Sequence, residues 1–375
     1  MYTPIQSLFF RALEMQFHWS RGAIAGSLIA LPITALFLPL VGPIIDRLGV
    51  RRVALVSAVL LALSFIWLST LQNSLISFYA AFIAFNVLGS ATGPIAYTRP
   101  VATSFFGSRG TAMAIAISGI ALSGVLLPPL LGPLLAKGYW REGYQAIAAL
   151  AFIGGVIAVA LIKAPGQRQA AQDAPGLLRR EVIRTPAFWL LGIAIFAVAA
   201  ASVGFVSQLQ SIAFEFGVPL NQTAFILSAT ALSTLPSRLL SGWALDRMQP
   251  ELVAAAFILV SGIGQLIWFM APGTFLYAIG AAILLGVSLG AEHAFIAFFC
   301  ARLFGLRAYS SNFGALAVFL YFGMAGGGMF FAATHDRTGS YTLATAIAVG
   351  LMVLSAVLFF KLPRTATGAA ISPKG

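Results

Sequence analysis

The strongest constraint on this chain is a succession of long apolar runs. A bilayer-spanning helix needs about 20 predominantly apolar residues. Eleven segments meet that length: roughly 22–45, 51–71, 75–104, 110–136, 143–163, 186–214, 222–245, 251–271, 273–301, 309–334 and 341–362. Inside hydrocarbon a backbone N–H or C=O without a partner is costly, so runs of this length are expected to be helical. Only 9% of the residues are charged, against about 25% in ordinary soluble domains. A soluble globular fold is therefore excluded at the outset, and lipid is the solvent for most of the chain. The expectation is an all-α polytopic membrane protein with eleven full transmembrane helices.

The formal net charge is +12, which in a soluble protein would suggest a nucleic-acid partner. Here the distribution of charge explains it better. With the loop around Asp46 in the cytoplasm and the sides alternating, fifteen lysines and arginines fall on the cytoplasmic side and five on the other. That asymmetry orients the chain, and the expected partner is the lipid bilayer rather than nucleic acid. Residues 1–20 contain Arg11, Glu14 and His18 and lack a long apolar core, so no cleavable signal is read there. The chain has a single cysteine, Cys300, so no intrachain disulfide is expected. Four lysines against eighteen arginines suggest a GC-rich bacterial genome, and with it a bacterial inner membrane. No soluble-enzyme constellation emerges. The histidines and carboxylates show no metal-ligand spacing, no phosphate-cradling glycine loop follows a strand, and no histidine lies close to Cys300 in sequence. Neither an enzyme nor a metal or cofactor site is expected.

One charged interruption stands out. Gly42–Pro43–Ile44–Ile45–Asp46–Arg47–Leu48–Gly49–Val50–Arg51–Arg52 places four charges within seven positions between two apolar runs. Gly242–Trp243–Ala244–Leu245–Asp246–Arg247 is a shorter copy, with Asp246 standing 200 residues after Asp46. A second pair echoes it: Phe106–Gly107–Ser108–Arg109 and Phe304–Gly305–Leu306–Arg307. Repeated halves of this kind are a transporter signature. The G-x-x-x-D-R-x-G-x-R-R pattern resembles the loop between the second and third helices of the major facilitator superfamily. Two further runs narrow the likeness, Phe17–His18–Trp19–Ser20–Arg21 and Asp336–Arg337–Thr338–Gly339–Ser340–Tyr341. They resemble the monocarboxylate and oxalate/formate antiporter-like branch. The resemblance implies two helical bundles and a chain lacking most of the first helix. Residues 1–163 would form the N-terminal bundle and 164–185 a cytoplasmic linker. Residues 186–364 would then form the C-terminal bundle, and 365–375 a cytoplasmic tail. Implied too is a secondary transporter working by alternating access, its substrate a small organic anion, most simply a monocarboxylate, with a proton as a possible co-substrate. Transport of a neutral solute, drug efflux, and a transport-dead fragment or sensor are the alternatives.

Charged residues inside a span cost about 2.5–3.5 kcal/mol each on insertion scales, so each one needs a reason to be there. Arg238 is eight residues before Asp246, hence about 12 Å into the membrane from that loop. A guanidinium can clamp a carboxylate through two parallel hydrogen bonds. The spacing R-x-x-x-G-x-x-x-D resembles the eighth helix of the carboxylate-transporting branch, where the arginine is associated with binding the anion. Arg238 is accordingly the expected substrate anchor. The alternative has it snorkelling to headgroups or pairing with an acid. Tyr97, Asn312 and Tyr321 are candidate cavity-lining residues. Glu292 and His293 are candidates for proton coupling, with interhelical hydrogen bonding as the alternative. Arg99 is expected to snorkel, with a second cation in an inward-facing cavity as the alternative. Thr234 stands where animal monocarboxylate transporters commonly place an aspartate, and no lysine lies between Ser310 and Thr334. The resemblance therefore transfers neither of those groups. Gly42, Asp46, Arg47, Gly49, Arg51, Arg52, Gly242, Asp246 and Arg247 form the expected cytoplasmic gate.

Overall fold

The computed structural model describes residues 6–20, 23–24, 26–105, 107–162, 175–270 and 274–363. Arg21, Phe106, Lys163, residues 164–174 of the expected linker and the expected tail 365–375 lie outside the described residues. The described chain is helical throughout. Its elements are α1 (Gln6–Phe17), α2 (Ala30–Leu48), α3 (Val50–Ser69), α4 (Leu75–Leu88), α5 (Pro94–Ser104), α6 (Arg109–Ile117), α7 (Gly119–Ala136) and α8 (Trp140–Leu161). They continue with α9 (Arg179–Val182), α10 (Pro186–Ser207), α11 (Leu209–Glu215), α12 (Leu220–Arg247) and α13 (Pro250–Met270). The last three are α14 (Phe275–Phe304), α15 (Tyr309–Thr338) and α16 (Thr342–Phe360).

Among the described residues, nine helices are long and apolar enough to cross a membrane, or up to ten if the bent pair α4 and 90–104 counts as one span. The expected number of eleven is not reached on that criterion. The difference lies in α12, which has 28 residues and so the length to cross. It carries Asn221, Gln222, Thr223, Thr230, Ser233, Thr234, Ser237 and Arg238 along it, and that polarity removes it from the apolar set. The bend of 46° between α4 and 90–104 falls at Gly89 and Gly93–Pro94, where Pro94 offers no N–H to continue the ladder. At twelve residues, α1 is about 18 Å long and shorter than the hydrocarbon layer.

The helices assemble as two bundles with matching neighbour pairs. In the first, α3 packs on α8; in the second, α13 packs on α16. α10 runs along α15 and α16, and α12 along α14. Small residues allow the close approaches. A methyl added at Gly286 or Gly290 of α14 would run into the Thr230 or Thr234 carbonyl of α12. Packing of small residues is the usual basis of helix association where no hydrophobic effect drives it.

One end of the first bundle carries an aromatic cluster. Phe9 meets Tyr144 with centroids 4.1 Å apart, and Phe17 lies on Trp19 at 4.7 Å and edge-on to Trp140 at 5.6 Å. Trp19 also donates to Asn73 Oδ1 at 2.7 Å. The Phe17–His18–Trp19 run thus fastens α1 to the bundle. A comparable clasp closes the same end of the second bundle, where Glu215 accepts from Ser340 Oγ and from the backbone N–H of Tyr341. Tyr341 in turn donates its hydroxyl to Gln208.

Candidate functional site

The two bundles are joined by hydrogen bonds at the end where Arg47, Arg51, Arg52, Arg247 and Arg307 lie. Asp46, near the end of α2, reaches across to the first turn of α15. Its carboxylate accepts from the N–H of Ser310 at 3.2 Å, the N–H of Ser311 at 2.8 Å and Ser311 Oγ at 2.5 Å. Asp246, near the end of α12, does the same for α6. It accepts from the N–H of Gly110 at 2.6 Å, the N–H of Thr111 at 2.8 Å and Thr111 Oγ1 at 2.7 Å. The first N–H groups of a helix lack intrahelical partners, and the helix dipole favours an anion there. Each carboxylate therefore caps a helix belonging to the opposite bundle, and the two caps are related by the internal repeat.

The glycines four residues earlier explain how the helices come so close. A Cβ on Gly42 would strike the Ser310 carbonyl, and one on Gly242 would meet the Gly110 carbonyl and Ala114. The carbonyls are backbone and the Ala114 methyl is fixed to it, so none can swing aside and the spacing between glycine and aspartate is a packing requirement. Gly49, with φ of 87°, makes the turn from α2 to α3. Arg47, Arg51 and Arg52 are exposed on the outside of this turn, and Arg247 lies over the Trp243 ring at 4.8 Å. The cross-bundle contact is carried by the carboxylates, with the arginines of the motif at its edge.

Sequence reading missed two members of this cluster. Arg99, expected to snorkel, is instead buried and paired with Asp46 at 2.9 Å, the two side chains 7% and 12% exposed. Its second contact is the Ile45 carbonyl at 3.3 Å. Proximity in space is the only signal for this pair, because 53 positions separate the partners in sequence. Tyr309 donates to Thr98 Oγ1 at 2.9 Å and to the Ala297 carbonyl at 3.3 Å, tying α15 to α5 and α14. Cys300 is buried beside the same tyrosine, its Sγ 3.8 Å from the Tyr309 carbonyl.

Arg238 is deeper and 4% exposed, so it does not snorkel. Its Nε donates to the Gly290 carbonyl at 2.9 Å and its Nη1 to the Ile117 carbonyl at 3.2 Å. Ile117 is at the joint between α6 and α7, so this side chain also crosses between bundles. Glu292 is 4% exposed on α14 and interacts electrostatically with Arg238, without a contact ion pair between them among the described residues. His293 follows it, with Nδ1 buried and lacking a hydrogen-bond partner.

The remaining expected residues fall at different levels. Asn312 is fully buried and donates to the Leu177 carbonyl at 3.1 Å, at the level of Ser310 and Ser311 rather than beside Arg238. Tyr321 lies twelve residues beyond Tyr309, hence about 18 Å along α15, and is partly exposed. Tyr97 is partly exposed on α5. The arrangement brings Arg238, Glu292 and His293 together and separates Asn312 from them.

Two helical bundles that meet through repeat-related helix caps, with charged residues buried between them, define a membrane transporter fold. The chain belongs to the Major Facilitator Superfamily, whose family model matches residues 5–328. It is an integral membrane protein of a family of transporters. A search of curated proteins finds no match. Among solved structures, the chain is similar to the E. coli fucose:proton symporter FucP. The TM-score is 0.74 at 15% identity, covering 95% of this chain and 94% of that one. Another FucP structure, in the outward conformation, gives a TM-score of 0.72 at 15% identity, covering 96% and 97%. The proton:xylose symporter XylE bound to 6-bromo-6-deoxy-D-glucose gives 0.76 at 13% identity, covering 98% and 94%. At these identities the likeness is one of fold.

Proposed function

We propose that this transporter carries a small organic anion, most simply a monocarboxylate, by alternating access between its two bundles. On this reading the basic face is cytoplasmic, in a bacterial inner membrane, and the Asp46 and Asp246 caps are the gate on that side. The arrangement described here would be the state with the cytoplasmic gate shut. Arg238 carries the substrate reading. It is a buried guanidinium between the bundles whose two hydrogen bonds among the described residues are to neutral carbonyls, and its other N–H donors could hold a ligand. A carboxylate there would offset the desolvation of the cation. The sequence resemblance to the monocarboxylate and oxalate/formate branch supports the same class.

A neutral solute is the second reading, and Glu292 favours it. When ionised, its carboxylate interacts with Arg238, so the guanidinium can then be balanced without a bound anion. FucP and XylE, named for sugars, add neutral sugars to the compounds worth testing. Thermal unfolding of the purified protein distinguishes the two. A ligand at 100 times its Kd stabilises the native state by about 2.7 kcal/mol. Small monocarboxylates are expected to raise the Tm by several degrees, while their amides and neutral sugars leave it unchanged. A rise with sugars and none with carboxylates would put the neutral-solute reading in its place.

A co-transported proton would be carried by Glu292, with His293 beside it. Glu292→Gln keeps the shape and removes the titrating group. Uptake by this variant is expected to lose its dependence on pH. If the full pH dependence survives, Glu292 is not the coupling site.

A further inference from the structure

Pro43 leaves a gap in the hydrogen-bond ladder of α2. A helical N–H bonds the carbonyl four residues earlier, and proline has no N–H to give. The carbonyl of Pro39 therefore has no partner from position 43. It is filled from elsewhere: Nη1 of Arg179 donates to it at 2.5 Å. Arg179 opens α9, in the segment that connects the two bundles.

The other side of that segment is fastened to the second bundle. The N–H of Leu177 donates to the Phe304 carbonyl at 2.9 Å, and the N–H of Leu306 to the Pro175 carbonyl at 3.2 Å. Gly176 and Gly305 form an antiparallel bridge between them. Asn312 Nδ2 holds the Leu177 carbonyl at 3.1 Å. Leu177 and Val182 are buried, so the segment is packed down and does not merely hang between the bundles. Its backbone belongs to the turn between α14 and α15, and one side chain reaches α2.

We propose that residues 175–182 are a strap that holds the cytoplasmic gate shut, and that Arg179 is the positioning residue fastening it to α2. The inference rests on alternating access and is independent of which solute is carried. If the bundles part at this face, the strap travels with the α14–α15 turn through its backbone pairing. The Arg179–Pro39 bond is then the one that must break. Breaking it leaves a carbonyl unpartnered in a helix that cannot repair itself locally. Proline at position 43 thus makes the stability of α2 depend on the strap being in place, which ties the helix end to the closed arrangement.

The test is a distance measurement that needs no substrate. Ser104 and Met248 are exposed at this face on opposite bundles and lie outside the gate contacts. Spin labels at Ser104→Cys and Met248→Cys, in a Cys300→Ser background in lipid nanodiscs, report the separation by pulsed electron resonance. The parent is expected to populate mainly the short distance. Arg179→Gln should lower the ratio of short to long by about tenfold, the scale of one charged hydrogen bond. Arg179→Lys, which keeps a charged donor on a long stem where Gln offers only a short neutral one, should retain most of the short population. In a Pro43→Ala background the N–H restored at position 43 closes the Pro39 carbonyl within the helix. There, Arg179→Gln should change the ratio by less than about twofold. An unchanged distribution in Arg179→Gln overturns the proposal, and so does an equal shift in both backgrounds. If Asp46→Ala also leaves the distribution unmoved, the gate itself is misread and alternating access at this face fails with it.

Discussion

Asp46→Ala is expected to open the basic face, shifting its closed–open balance by about 3–5 kcal/mol, the range for removing one partner of a buried ion pair. The substitution removes the acceptor of two α15 N–H groups and of Ser311 Oγ. It also strands the Arg99 guanidinium, 7% exposed, with only the Ile45 carbonyl. Asp246→Ala should act in the same direction, because Gly110 and Thr111 lose the equivalent cap. It should act less strongly, since no contact ion pair to Asp246 is seen among the described residues. The chain supplies its own probe. Cys300 is its single cysteine and is buried next to Tyr309. It also lies within the electrostatic reach of Asp46 on α2, so parting of α2 from α15 is expected to uncover it. A shift of 3–5 kcal/mol corresponds to an increase of about 10²–10⁴-fold in the exposed fraction, so the rate of Cys300 alkylation should rise by a similar factor. An alkylation rate unchanged in both variants would mean that the caps do not hold this face closed.

The second large effect is at Arg238. Arg238→Lys keeps the charge and loses the planar fork, so binding of a carboxylate should weaken by about 1.5–3 kcal/mol, the scale of a charged hydrogen bond. Arg238→Ala should abolish measurable binding. That variant alone leaves Glu292 buried with no cation to balance it, and it also removes the tie to Ile117 between bundles. Arg238→Ala combined with Glu292→Gln removes both charges together and separates loss of binding from loss of folding. The double variant is expected to insert and to purify as a monodisperse protein. It should show no thermal stabilisation by the carboxylates that stabilise the parent. Near-normal affinity in the double variant, or equal stabilisation by the amide, would sink the organic-anion reading.

Much of this architecture is written in the chain itself, and the reason is solvent preference. A run such as Thr342–Phe360, almost wholly apolar over nineteen residues, has one stable form in hydrocarbon, so its existence and type follow from composition. The internal repeat was equally readable, because Asp46 and Asp246 sit in two copies of one pattern. The number of apolar spans was less so. α12 is helical over its full length, yet its interior polar residues keep it out of the apolar set. Two of its polar residues face a neighbouring helix: Ser233 faces Gly286 and Arg238 faces Gly290. Local hydropathy scores each residue as if lipid were its neighbour and cannot know this.

Which groups meet was decided only by the tertiary structure. Sequence marked Asp46 as a gate residue but left its partners unnamed, since Ser310 and Ser311 lie more than 260 positions away. Arg99 read as a snorkelling cation because it lies close to the end of its apolar run. Only the fold brings Asp46 of α2 to it. Asn312 read as a cavity residue, and the fold places it under Leu177 in the connecting segment. The missing donor of Pro43 was visible in the sequence, but its replacement by Arg179 was not. Composition and periodicity report what each segment prefers as solvent, so they determine the helices. A hydrogen bond between distant segments depends on the relative placement of two rigid helices, and that placement is set by how small residues let backbones approach.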